Sequence, residues 1–186
     1  MRHETTIMEI MEKLVIASKH EVAELMAYRG FWTPGPSATN NTYKYQMVLV
    51  QLKRLVKGNG FFKLPGCESE YKEHAQLLTK TLIQILKANP EAAIWRERPI
   101  PEVGSRPDAL VLLRKGNLGR MLILEACDSE TDSYLRAKIN LYRKNPEIPR
   151  LLGEITGVRI PSFDIVIVGR DAPQGTITLN TALEDL

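Results

Sequence analysis

The chain has 186 residues, of which 44% are hydrophobic and 25% are charged, so it is long enough and apolar enough to form one large folded domain or two small ones. Its two cysteines, Cys67 and Cys127, lie far apart without metal-ligand spacing, which argues against a disulfide framework or a zinc site and favours the reducing cytoplasm. We expect no membrane partner, because the start lacks the apolar stretch of a signal peptide and no apolar run approaches the length of a bilayer span.

The net charge of +3 is unevenly distributed along the chain. Residues 1–66 contain nine Lys or Arg and five Asp or Glu, a net charge of +4, whereas residues 67–186 contain sixteen and seventeen, a net charge of −1. A basic first third attracts phosphate backbones, although an excess of this size also suits an ordinary solvated surface.

Residues 1–66 are predicted to form three helices and a hairpin. Ser18 and Glu21 have the spacing of a capping box, which opens the second helix. The Gly- and Pro-rich segment 30–36 precedes a third helix, predicted to begin near residues 37–39 and to end at 58–60, and residues 61–66 then form a short apolar strand and a turn. Helical spacing predicts these buried positions: Ile7, Met8, Met11, Leu14 and Val15 in the first helix, Val22, Leu25 and Met26 in the second, and Tyr45, Val48, Leu49, Leu52, Leu55 and Val56 in the third. With the hairpin as a wing, this order predicts a winged helix-turn-helix domain over residues 1–66.

The third helix of such a domain enters the major groove by its N-terminal part. Asn side chains there pair with adenine edges and Lys with guanine or phosphate, while cations further along reach flanking phosphates. The candidate DNA-binding residues are Asn40, Asn41, Lys44, Lys53, Arg54, Lys57 and Lys63. Each one alone is explained as well by a solvated helix face, but together with the wing they favour binding of double-stranded DNA. A winged helix that only dimerises or binds proteins is the alternative.

Residues 67–186 are predicted to form a second domain with the element order αβββαβ, so that the fold class is α/β overall. Its first helix spans about 68–88, with an inner face of Tyr71, His74, Leu78, Leu82 and Ile85. Three strands follow at 93–98, 109–113 and 121–127. The next helix is capped by Asp132 or Ser133, buries Leu135, Ile139 and Tyr142, and is ended by Pro146 and Pro149. A buried strand at 163–168, a shorter one at 177–179 and an acidic terminal helix complete the domain.

Two carboxylates mark the candidate site of this second domain. Asp108 opens the second predicted strand and Glu125 closes the third, and adjacent strands that bring two carboxylates to one sheet edge can hold Mg²⁺. Mg²⁺ is the one cofactor that such a pair would take, and the sequence does not require it. Each residue alone is explained as well by a structural role, with Asp108 closing a turn and Glu125 paired with Arg106 or Arg120.

The cation that a DNA-cutting site of this kind normally carries is missing from its usual position. Two residues beyond Glu125, on the same strand face, stands Cys127 instead of a Lys. Lys138 on the following helix is a candidate replacement, and it is explained equally by a solvated position. His74 is expected to be a core histidine, with a role beside the carboxylates as the minor alternative, and Glu70 and Glu73 are further candidate ligands from the first helix.

The segment from about residue 68 to 170 resembles the core of the PD-(D/E)xK, or restriction-endonuclease-like, superfamily. At a finer level, a winged helix followed by His74, Pro107-Asp108, Glu125, and then Lys138 and Tyr142 on the next helix is similar to the replication-relaxation family of plasmids and integrative elements. The chain departs from that pattern at residues 127–131, where the family has an acidic residue and a Gly-Thr pair. The resemblance implies replication control or assistance of a relaxase at a transfer origin.

We therefore expect a DNA-binding accessory factor of a plasmid or integrative conjugative element, built from a winged helix over residues 1–66 and a degenerate nuclease-like domain over 67–186. The first alternative is a Mg²⁺-dependent DNA endonuclease that uses Asp108, Glu125 and Lys138. The second is a transcriptional regulator whose second domain senses a signal or dimerises. Expected partners are double-stranded DNA and a relaxase or replication protein, and a homodimer stays open.

Overall fold

A computed structural model describes residues 3–67, 72–115, 118–127, 131–171, 173 and 176–183. The chain divides into two compact units, Met1–Lys87 and Ala88–Leu186, and each contains one sheet. The predicted α/β fold class is confirmed. Within the described ranges, no helix has both the length and the apolar character needed to cross a membrane.

The first unit combines four helices with a small antiparallel sheet. Its strands follow the spatial order β1-β3-β2, with Lys63 of β3 paired to Ile16 of β1 on one side and to Val56 of β2 on the other. Along the chain the elements are α1 (His3–Leu14), β1 (Ile16–Ala17), α2 (Lys19–Tyr28), α3 (Pro36–Gln51), β2 (Val56–Lys57), β3 (Phe62–Lys63) and α4 (Glu73–Ala88).

The start of α2 has the predicted capping box. The backbone N–H of Ser18 donates to the Glu21 carboxylate at 2.7 Å, and the N–H of Glu21 donates to the Ser18 hydroxyl oxygen at 3.3 Å. The predicted buried positions of α1 and α2 are confirmed except for Val15, which follows α1 with a φ of 64° and is only partly buried. That positive φ ends the helix, because a β-branched residue in this conformation cannot continue it.

The third helix is shorter than predicted, and of its six predicted buried positions only Leu49 and Leu55 are confirmed. It ends at Gln51 rather than at residues 58–60, because Lys53 has a φ of 57° and turns the chain into β2. Val48, Leu52 and Val56, predicted to be buried, are 40% to 62% exposed, and Tyr45 is only partly buried. The buried positions of the helix are Ala38, Thr42, Gln46 and Leu49. Thr42 tolerates burial because its hydroxyl donates to the Ala38 carbonyl at 2.9 Å.

Helix α4 belongs to the first unit, so the division of the chain falls after Lys87 and differs from the predicted boundary after Gly66. The Thr79 hydroxyl donates to the carbonyl of Ile16 at 3.1 Å, and the Tyr28 hydroxyl donates to the carbonyl of Lys87 at 2.7 Å. These contacts bind the middle of the helix to β1 and its C-terminal end to α2. The predicted end of α4 at Ala88 and its buried face of Leu78, Leu82 and Ile85 are confirmed, whereas Glu70 and Tyr71 lie outside the described residues.

The second unit contains a four-stranded mixed sheet in the order β4-β5-β6-β7. The first three strands are antiparallel neighbours, and β7 runs parallel to β6. Helices α5 and α6 lie between β6 and β7 in the chain, as a parallel pair of strands requires. The elements are β4 (Ala93–Arg96), β5 (Ala109–Lys115), β6 (Leu118–Ala126), α5 (Asp132–Lys144), α6 (Ile148–Thr156), β7 (Phe163–Val168) and α7 (Leu179–Leu183).

One face of this sheet packs against α5 and α6. Leu110, Leu112 and Ile123 of the central strands share a core with Leu135 and Ile139 of α5, as the periodicity of that helix predicts. Residues of α6 complete the core, although the sequence prediction contains no helix there. The site described below depends on α5, since Lys138 and Tyr142 of this helix contact Glu125 at the end of β6.

Three local predictions in the second unit are corrected. The cap of α5 is Thr131, whose hydroxyl oxygen accepts from the N–H of Tyr134, rather than Asp132 or Ser133. Pro149 does not end α5 but lies in the first turn of α6, where the absent N–H of proline costs no hydrogen bond. The predicted strand at 177–179 is reduced to one isolated bridge between Ile177 and Val166.

Candidate functional site

The two predicted carboxylates lie at the same end of the second sheet. Ala109 of β5 pairs with Leu124 of β6, so Asp108 and Glu125 stand one step further along the same antiparallel register. Alternation along the strands directs both toward the face that carries α5. The Oδ2 atom of Asp108 accepts a hydrogen bond from the backbone N–H of Ala126 at 2.7 Å, which ties the start of β5 to the end of β6.

Glu125 is buried and holds two hydrogen bonds from α5. It is 2% exposed, its Oε2 accepts from the Lys138 ammonium at 2.5 Å, and its Oε1 accepts from the Tyr142 hydroxyl at 2.6 Å. Lys138 and Tyr142 are four residues apart, so both face the sheet from one side of the helix. The Ser105 hydroxyl lies 2.7 Å from the Tyr142 oxygen, and because Tyr142 gives its only proton to Glu125, Ser105 is the donor in that contact.

The electrostatics of the cluster follow from its burial. Removal from water raises the pKa of Glu125 to about 7, and the Asp108 charge adds to the rise against the opposing effect of Lys138. Burial is the largest single effect on the pKa of Lys138 and lowers it, but the charge of Glu125, the hydrogen bond to Glu125 and the charge of Asp108 together outweigh burial, so the net pKa is raised. The pKa of the Tyr142 hydroxyl is also raised, first by burial and then by the Glu125 charge. Lys138 therefore stays charged at neutral pH, while Glu125 titrates there.

Other residues that the sequence suggested as neighbours of the two carboxylates do not contact Glu125. Arg106 pairs with Glu97 at 3.0 Å and Arg120 pairs with Asp164 at 2.7 Å, so neither is the partner of Glu125. His74 is partly buried on α4 in the first unit, and Glu73 is exposed at the start of that helix.

Cys127 does not stand at an open position beside the carboxylates. It is 4% exposed and belongs to the core between the sheet and α5. A lysine at this position would bury its ammonium group among apolar side chains, which is costly without a partner. The cation of the cluster is Lys138, the residue that the sequence offered as a replacement for the lysine missing at position 127.

The arrangement does not fit a metal ion. Both oxygens of Glu125 accept hydrogen bonds and are shielded from water, and one oxygen of Asp108 accepts the N–H of Ala126. A hard cation needs several oxygen ligands with accessible lone pairs. Across the part of the chain that the structure describes, no group of three or more His, Cys, Asp or Glu residues could hold a metal.

The predicted DNA-binding residues of the first unit are mostly accessible. Asn40 and Lys44 are exposed on the same face of α3, and Asn41 beside them is partly buried. The remaining candidates lie beyond the helix: Lys53, Arg54 and Lys57 are exposed, and Lys63 on β3 is partly buried.

Sequence reasoning missed Lys19 and Tyr43 in the first unit. The Lys57 ammonium donates to the Tyr43 hydroxyl oxygen at 3.1 Å, and the ammonium groups of Lys19 and Lys57 each lie 5.4 Å from the centre of the Tyr43 ring. No local signal links these three residues, because they stand on α2, α3 and β2. In the second unit, the four-residue spacing of Lys138 and Tyr142 was a usable signal for their shared contact with Glu125.

Comparison with known proteins adds no further assignment: no family model matches the chain, and neither curated proteins nor solved structures gave a significant match. The resemblance to the replication-relaxation family rests on short motifs, chiefly Pro107-Asp108, Glu125, Lys138 and Tyr142. Two of these residues, Lys138 and Tyr142, donate hydrogen bonds to a third, Glu125.

Proposed function

We propose that the first unit binds double-stranded DNA as a winged helix, and that the protein is a DNA-binding accessory factor of a plasmid or integrative element. The observation that carries the proposal is the topology of the first unit. Its elements run α1-β1-α2-α3-β2-β3, and the sheet order is β1-β3-β2. This arrangement supports α3 as the recognition helix and the β2–β3 hairpin as the wing.

The surface chemistry of α3 supports the same function. Asn40 and Lys44 are four residues apart on its exposed face, and they supply an amide for base edges and an ammonium group for guanine or phosphate. Lys57 on the hairpin adds an exposed cation beside the helix. Val48, exposed one turn beyond Lys44, is an apolar group of the kind that contacts thymine methyl groups.

The second unit supports the function of an accessory factor more than that of a nuclease. Glu125 is closed off by Lys138 and Tyr142, and a carboxylate buried in this way is a poor ligand for a catalytic metal. The role in replication control or relaxase assistance follows from the resemblance of the motifs. A relaxase or replication protein is the partner that this role implies.

The test is DNA binding by the full chain and by a matched pair of variants. Lys44→Ala should weaken binding to duplex DNA. It should also make the negative slope of log K against log[salt] shallower by about one, because the ammonium group that neutralises a phosphate is lost. Lys80→Ala is the control, because Lys80 is an exposed lysine on α4 of the same unit. Equal binding by both variants and the unmodified protein would contradict the proposal.

A Mg²⁺-dependent endonuclease is the second candidate. The observation in its favour is the contact of Lys138 with Glu125 at 2.5 Å, with Asp108 at the same sheet end, which unites the three residue types of such a site. The test is incubation of supercoiled and linear DNA with the protein and either Mg²⁺ or Mn²⁺. We expect little or no cleavage. Efficient cleavage that Glu125→Gln and Lys138→Ala both abolish, with folding retained, would establish the endonuclease instead.

A further inference from the structure

Two lysine side chains from different elements of the first unit converge on one tyrosine ring. Lys19 is the first residue of α2, Lys57 is the last residue of β2, and Tyr43 lies in the second turn of α3. Both ammonium groups are 5.4 Å from the centre of the Tyr43 ring, within the range of a cation–π interaction. Lys57 also donates to the Tyr43 hydroxyl oxygen at 3.1 Å.

The positive charge of this cluster is not neutralised by the residues that the structure describes. Neither Lys19 nor Lys57 forms a salt bridge there. The nearby acidic residues of α2 have other partners, since Glu21 caps its own helix and Glu24 pairs with Lys87. An anion that contacts both ammonium groups would be attracted by each of them.

Tyr43 is positioned to take part in anion binding. Its ring is partly buried and makes an edge contact with the buried Phe62 of β3, at a centroid distance of 6.0 Å and an interplanar angle of 65°. Because its oxygen accepts from Lys57, its own proton points away from that lysine. No described residue accepts this proton, so the hydroxyl can donate to a bound anion.

The cluster adjoins the part of α3 that would read bases. Lys19 also lines a cavity of about 510 Å³ between α2 and the first turns of α3, together with His20, Thr39 and Asn40. An anion held by the two lysines would therefore lie beside the surface that carries Asn40. A phosphodiester of the strand that flanks the contacted bases is the anion that duplex DNA offers at such a place.

We propose that Lys19, Tyr43 and Lys57 form a clamp that binds a single phosphodiester group of the DNA backbone. The proposal rests on DNA binding by the first unit and specifies how the backbone is held. The two ammonium groups and the tyrosine hydroxyl donate to the same phosphate, which links α2, α3 and the hairpin through the ligand. Such a contact orients α3 on the duplex without reading sequence.

The test compares the salt dependence of duplex binding for the full-length protein, Lys19→Ala, Lys57→Ala and the double variant. If both lysines neutralise one phosphate, the double variant should make the negative slope of log K against log[salt] shallower by about one rather than two. The losses in affinity should then be non-additive, with coupling between the two positions. Tyr43→Phe keeps the ring and should lower affinity about ten- to hundredfold with the salt dependence unchanged, because it removes a hydrogen bond to a charged phosphate but no cation.

Each contrary outcome has a distinct meaning. Additive losses and a slope change of about two would assign the lysines to separate phosphates and overturn the clamp. Unchanged binding by the double variant, while Lys44→Ala weakens binding, would overturn the clamp and leave DNA binding intact. No effect of any variant would remove the DNA-binding function as well. Calorimetric titration with inorganic phosphate completes the test: phosphate binding that the double variant abolishes without loss of duplex binding would assign the site to a small anion and overturn the proposal.

Discussion

Replacing Glu125 with glutamine tests whether this buried carboxylate makes the stability of the second unit depend on pH. Burial raises the pKa of Glu125 from an ordinary value of 4.5 to about 7 in the folded protein. Between these two pH values the folded chain binds more protons than the unfolded chain, so the free energy of unfolding decreases as the pH rises. This contribution to stability is fully present below pH 4.5 and is lost as the pH passes through about 7.

The size of the effect follows from the two pKa values. One pKa unit is worth about 1.4 kcal/mol, so the interval from 4.5 to about 7 corresponds to about 3 kcal/mol. Glutamine has nearly the same shape and does not ionise in this range. Relative to the unmodified protein, Glu125→Gln should therefore gain about 3 kcal/mol of stability between pH 4.5 and pH 8. The altered contacts with Lys138 and Tyr142 change the stability by the same amount at every pH, so they do not affect this difference between the two pH values.

The fluorescence of Trp95 provides the measurement. The chain has two tryptophans, and Trp95 on β4 packs against the core of the second unit, so a Trp32→Phe background isolates its signal. Urea unfolding at several pH values would be compared with and without Glu125→Gln. Glu154→Gln is the control, since Glu154 is exposed on α6 of the same unit. Parallel stability curves for the Glu125 pair across this pH range would refute the reasoning.

Three further perturbations test other features. Asn41→Ala should cost about 1 to 3 kcal/mol of binding energy on a preferred DNA site and little on random duplex if Asn41 reads an adenine edge; equal losses would assign it to the backbone. Asp108→Ala should lower the free energy of unfolding by about 1 to 3 kcal/mol in urea, because the N–H of Ala126 loses its acceptor, and an unchanged midpoint would discount that bond. Gln46→Met should stabilise the first unit by roughly 1 kcal/mol, since the buried Gln46 amide has no hydrogen-bond partner in the described chain. The exposed Gln51→Met should leave the melting temperature unchanged, and a matching gain there would contradict the explanation.

The features predicted correctly from the sequence are those decided by neighbours in the chain. The Ser18–Glu21 capping box forms because its two residues meet within one helical turn. The buried face of α5, with Leu135 and Ile139, follows from a period that one side of the helix imposes. The common position of Asp108 and Glu125 was also predictable, since consecutive antiparallel strands bring the start of one beside the end of the next.

The errors arose where distant contacts decide the outcome. The apolar residues of α3 suggested one buried face, but packing within the first unit buries Gln46 and leaves Val48 exposed. The sequence prediction placed helix α4 in the second domain. The hydrogen bond from Thr79 to Ile16, which binds the helix to the first unit, joins residues far apart in the chain and has no local sequence signal. A helix can place its apolar face against any complementary surface, so only the folded chain determines which partner it takes.

In the candidate sites, too, the sequence indicated some of the contacts and only the tertiary structure decided the others. Lys138 was recognisable as a cation near the carboxylates, but the second hydrogen bond to Glu125, from Tyr142, depends on how α5 is seated on the sheet. The link of Lys19 and Lys57 through Tyr43 likewise joins residues of three different elements. Sequence alone determines which charges the chain carries and the period at which they recur. Tertiary structure determines which of them meet and how far they are shielded from water, and these distances and this shielding set the strength of each interaction.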